Sequence, residues 1–92
     1  MMPDNLPSVI DVLVGPAWRL TLTFSDGASG EIDVAAEVPF TGVFAPLAER
    51  AYFARVRVDA ELGTIAWPNG ADLDPLVLHA RITGRPLPEG LG

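Results

Sequence analysis

The chain has 92 residues, 49% hydrophobic and 20% charged, and a formal net charge of -6, with twelve acids set against six basic residues that are all arginine. That length fits one domain over 1–92, in which nearly every large apolar residue is needed for the core, and the lack of cysteine excludes disulfides, thiolate metal sites and a cysteine nucleophile. The acidic balance speaks against direct binding to DNA or RNA, whose readers carry a basic surplus or stripe. No stretch approaches the ~20 apolar residues of a membrane span, and residues 1–7 lack the basic-then-apolar order of a secretion signal, so a soluble, cytoplasmic protein is expected.

In chain order, Ile10, Val12 and Val14 alternate with Val9, Asp11 and Leu13 until Gly15-Pro16 breaks the run. This reads as a first strand, covered on both faces for part of its length. Residues 18–24 alternate more cleanly, with Trp18, Leu20, Leu22 and Phe24 on one side and Arg19, Thr21 and Thr23 on the other, which describes a half-buried strand. Asp26-Gly27 can supply the positive φ angles of a tight turn, and residues 30–34 return with Ile32 and Val34 opposite Glu31 and Asp33, completing a hairpin.

Residues 35–44 keep no period and carry Pro39 and Gly42, so they read as a crossing loop whose Val38, Phe40, Val43 and Phe44 dock on the sheet. Pro46 can open a short helix through Leu47, Ala48, Glu49 and Arg50. Residues 53–59 alternate again, with Ala54, Val56 and Val58 inward and Arg55 and Arg57 outward, and residues 64–67 return after a turn to form a second hairpin. Asp74 is placed as an N-cap with Pro75 in the first helical position, predicting a closing helix over 76–82 that Gly84 and Pro86 end. The core then spans about 8–82, with 83–92 as a loose tail. The class is α+β: a small, mainly antiparallel sheet of about five strands with one apolar face, one or two short helices and a covering loop.

Several runs, taken in order, resemble the bacterial domain-of-unknown-function 2442 family over about residues 8–79. They are Leu22-Thr23-Phe24-Ser25-Asp26-Gly27, Ile32-Asp33-Val34, Val43-Phe44-Ala45-Pro46-Leu47, Phe53-Ala54-Arg55-Val56-Arg57-Val58-Asp59, and the stretch from Gly63 through Trp67-Pro68-Asn69-Gly70-Ala71-Asp72-Leu73-Asp74-Pro75. The last run is the distinctive one. The resemblance implies a small bacterial α+β domain with no catalytic residues to carry over. It also implies a partner encoded nearby, from the domain-of-unknown-function 4160 family, in a toxin-antitoxin-like or regulatory pair. Some relatives carry an appended helix-turn-helix domain, for which these 92 residues leave no room, so DNA reading by that route is not expected.

Residue by residue, Asn69, Asp72 and Asp74 are the candidates for chemistry, since closely spaced oxygens can hold Ca²⁺ or Mg²⁺. The pattern lacks the further acids and closing glutamate of an EF-hand loop, and a structural account competes: Asn69-Gly70 turns the chain, Asp72 bonds local amides and Asp74 caps the helix. A metal- or small-ligand-binding turn with weak hydrolase or sensing activity stays the alternative function. The same acids as a glycoside-hydrolysing pair have no cleft to support them. His79, the single histidine, has no serine or cysteine motif to make it a catalytic base and reads as a helix-surface residue.

Glu31 and Asp33 share an outward face, as do Arg55 and Arg57, so the four could form cross-strand ion pairs or a charged docking surface. Trp67 is expected in the core, with its indole N–H bonded to a carbonyl of the turn that follows, while Trp18 sits at a strand entrance, half exposed. No cofactor is implied. The leading expectation is a non-enzymatic protein-binding module using Asp26, Glu31, Asp33, Arg55, Arg57 and Trp18, with self-assembly through an exposed edge strand as a further possibility.

Overall fold

The computed structural model describes residues 7–84. Five antiparallel strands and a few short helices make the α+β class expected from the pattern, but the strands divide between two sheets. The first is three-stranded, in the order β1 (Val9–Val14), β2 (Arg19–Phe24), β3 (Ser29–Asp33), and the second pairs β4 (Arg57–Asp59) with β5 (Thr64–Ala66). The two meet where the Val9 N–H donates to the Gly63 carbonyl at 3.0 Å.

Register explains which side chains are inside. Val12 pairs with Leu22, which pairs with Gly30, and Val14 pairs with Leu20, which pairs with Ile32, so these six share the inner face. Leu20, Leu22, Phe24, Ile32 and Val34 join Leu47, Phe53, Ile65, Trp67, Leu73 and Leu78 in one core. The outer face, carrying Leu13, Thr21 and Glu31, is left to solvent. Coverage of β1 on both faces is therefore not found: Val9 is buried and Val12 half-buried, but Ile10, Leu13 and Val14 are 57%, 61% and 41% exposed. The cause is position. β1 is an edge strand, and the register shift between Val9 and Asp11 leaves Ile10 unpaired at a bulge.

The third strand stops one residue sooner than the alternation suggests, because the Asp33 carboxylate accepts the Ala35 N–H at 3.1 Å and caps a helical turn, α1 (Val34–Glu37). The crossing segment that follows is more regular than a loop: a 3-10 helix spans Gly42–Ala48 with Pro46 inside it, and α2 (Arg50–Phe53) continues. Val38, Phe40 and Phe44 pack on the core as expected, whereas Val43 stays 49% exposed. The fourth strand is correspondingly shorter. Phe53 and Ala54 close helical bonds to Glu49 and Arg50, so Phe53 ends a helix and Ala54 is exposed. In so short a run, apolar residues cannot separate a strand from a helical turn, and the burial of Phe53 against Trp67, ring centroids 6.1 Å apart, decides for the turn.

The last helix, α3 (Pro75–Thr83), begins as the sequence indicates, with Asp74 Oδ1 accepting from the Leu76 N–H at 2.9 Å and Gly84 in the left-handed region at φ 74. It lies over the inner face of β3, where a Cβ built on Gly30 would come within 2.7 Å of Ile82 Cγ2. Of the expected tail, Thr83 is still helical and Gly84 is the cap, while residues 85–92, including Pro86, lie outside the described residues. None of the described helices is long and apolar enough to cross a membrane.

Candidate functional site

The run 67–75 forms a rigid corner. Trp67 is fully buried, and its indole N–H does have a carbonyl partner, but that partner is Phe53, at 3.0 Å, instead of the turn that follows. Phe53 sits on α2, so the bond ties the corner to the crossing segment. Between Trp67 and Ala71 the chain makes a closed turn, with Trp67 N–H donating to Ala71 O and Gly70 N–H to Trp67 O, both at 2.9 Å, and Gly70 at φ 91. Asn69 is fully engaged: its amide nitrogen donates to Val43 O at 2.9 Å, its Oδ1 accepts from Ala71 N at 3.1 Å, and its backbone N–H donates to the Tyr52 hydroxyl at 2.9 Å. Asp74 is engaged at the helix cap, and Asp72 is exposed, bridging to Ala66 through the backbone alone. Among the described residues no three acidic or histidine side chains gather in metal-binding range.

The six residues expected to meet a partner are scattered. Glu31 and Asp33 cannot pair with Arg55 and Arg57, because β3 and β4 belong to different sheets. Glu31 instead faces Arg19 at 3.5 Å, Asp33 is spent on capping α1, and Arg55 lies over the Tyr52 ring at 5.9 Å, with Arg57 exposed on β4. Asp26 accepts the Ala28 N–H at 3.0 Å and holds His79 Nε2 at 2.8 Å, linking the β2–β3 turn to α3. The Ala28 N–H first, and the His79 bond second, hold the Asp26 carboxyl below the ordinary aspartate value. His79 also meets Phe24 edge-on, centroids 4.9 Å apart, so it is a packed residue with one polar contact.

Trp18 is half-buried and donates its indole N–H to Leu47 O at 2.6 Å, with Phe40 and Phe53 beside it. Arg50 lies over Trp18 and Phe53 and donates to the carbonyls of Ala17 and, at 3.2 Å, Gly15, clamping the β1–β2 turn. That turn needs the clamp: Ala17 is in the left-handed region at φ 52, which a side chain rarely adopts. Arg50 carried no signal in the sequence, because its partners are backbone atoms more than thirty positions away.

What is left exposed is β1 beyond Val9, whose own N–H is taken by the Gly63 carbonyl. Three of the five exposed large hydrophobic side chains among the described residues, Ile10, Leu13 and Val14, lie on this six-residue strand. The opposite edge strand, β3, presents Glu31 and Asp33, the kind of charge that discourages pairing, while β1 offers only Asp11. A family model described as "Protein of unknown function (DUF2442)" matches residues 9–84, from the first residue of β1 to the cap of α3. The chain belongs to the DUF2442 family. No curated protein and no solved structure matches it. The DUF2442 match spans both sheets and the corner at 67–75.

Proposed function

We propose that this DUF2442 protein is a non-enzymatic protein-binding module that docks an extended segment of a basic partner along the edge of β1 beyond Val9. The observation that carries the reading is the combination of an edge strand, engaged by the second sheet only at Val9, with exposed Ile10, Leu13 and Val14. An unpaired strand edge offers backbone donors and acceptors in a row, and an added strand gains affinity from them while neighbouring side chains supply specificity. The net charge of -6 favours a partner of opposite sign and speeds its approach. A genetically linked product, paired with this protein in a regulatory or antitoxin-like role, fits that description. Asp26, Asp33 and Trp18 are already engaged within the fold, which favours β1 over them as the contact surface in this reading.

Co-expression with the product of the neighbouring gene tests this reading, comparing wild type with Leu13→Lys, which changes an outward-facing side chain and leaves the core intact. A complex that survives moderate salt with wild type and is lost with Leu13→Lys is the expected result. Equal co-purification of both proteins removes β1 from the interface. Absence of a complex with wild type removes the paired role.

A further inference from the structure

A groove of about 200 Å³ runs between α1 and the start of α3. Leu73 and Leu78 form its buried floor, Val38 and Val77 are half-buried in its walls, and Glu37 and Asp74 stand at its rim. Pockets that enclose whole small-molecule ligands usually run from ~300 to 1,000 Å³, so this one suits a single side chain. Its surface is mostly apolar with carboxylates as the charged groups, a combination that matches a side chain with an aliphatic stem and a cationic head.

Asp74 is only partly committed, and Glu37 is held by a side chain from the solvent side. Asp74 spends Oδ1 on the Leu76 N–H, and Oδ2 has no hydrogen bond among the described residues. Glu37 receives Arg81 Nε on both oxygens at 3.1 Å. That arginine is 62% exposed while the Glu37 side chain is 15% exposed, so Arg81 approaches from solvent and is the easily displaced member of the pair. Two carboxylates against one guanidinium leave the rim with one negative charge in excess.

We propose that this groove receives one arginine or lysine side chain of a protein partner, with the stem on Val38, Val77 and Leu73 and the cation between Glu37 and Asp74. The site is separate from the β1 edge and stands whether or not that edge binds anything. Arg81 acts in it as an internal competitor for Glu37.

Titration of the ¹⁵N-labelled 92-residue protein with n-butylguanidinium, followed by amide chemical shifts, tests the site directly. Saturable shifts confined to Glu37, Val38, Val77 and Leu78, in the millimolar range that a probe of about eight heavy atoms allows, are expected. Glu37→Gln should weaken binding by about two- to five-fold, the effect of losing one partly exposed charge partner. Arg81→Gln should tighten it by a similar factor, an outcome that a purely structural Arg81 would not give. Val77→Phe should fill the groove and abolish the shifts. The proposal is overturned if neutral n-pentanol binds as well as the cation, if no saturable shifts appear, or if the same amides shift on concentrating the protein alone, which would make a second copy the occupant.

Discussion

The side-chain amide of Asn69 donates to the carbonyl of Val43, 26 positions away, at 2.9 Å, while its own Oδ1 holds the Ala71 N–H at 3.1 Å. One side chain thus closes its own turn and staples that turn to the 3-10 helix. Asn69→Ala removes both bonds, at ~0.5 to 1.5 kcal/mol each, and should destabilise the fold by about 1 to 3 kcal/mol. Asn69→Asp keeps the acceptor and loses the donor, so urea unfolding should place it between wild type and Asn69→Ala.

Arg50 performs the equivalent task at the other hairpin, with its guanidinium on the Gly15 and Ala17 carbonyls and over the rings of Trp18 and Phe53. Its side chain is exposed, so the cost of removal should be modest. Arg50→Ala is expected to lose about 1 kcal/mol, and Arg50→Lys to recover little of it, because an ammonium cannot reproduce a planar fork shared by two carbonyls. Full rescue by lysine would show that charge alone matters there.

These two tethers mark where sequence reading stops. The strands β2 and β5, the Asp26-Gly27 turn and the Asp74-Pro75 helix start were legible, because period, turn chemistry and caps are local properties. The split into two sheets was not, since nothing in residues 53–59 distinguishes a strand from the helical turn that Phe53 adopts to meet Trp67. Which polar and apolar side chains stay uncommitted at the surface was not legible. Alternation on β1 does not say which face lacks a covering layer, and acids such as Asp33 look available until their capping bonds are seen.

Gly30 lacks a side chain because α3 occupies the space, with Ile82 Cγ2 only 2.7 Å from where a Cβ would stand. Gly30→Ala must push α3 outward or force Ile82 off its rotamer, at a cost of about 1 to 3 kcal/mol. Ile82→Ala frees the room, so the double variant should be less destabilised than the sum of the two single ones. Strict additivity in thermal unfolding would mean that the contact is not limiting.

Asp26 joins the β2–β3 turn to α3 through His79, and both of its carboxylate bonds favour the charged form. Its folded pKa is lowered, so its contribution to stability is fully present above the unfolded aspartate value of about 4 and is lost as the pH falls through the folded value. Asp26→Asn should therefore separate from wild type most above about pH 5 and converge with it in strong acid. His79→Gln removes the lesser of the two causes and leaves the Ala28 bond, so it should retain part of that acid dependence. Midpoints of denaturant unfolding measured across the acid limb would check both variants. A constant difference between Asp26→Asn and wild type at every pH would mean that the turn, and not the charge, is what Asp26 supports.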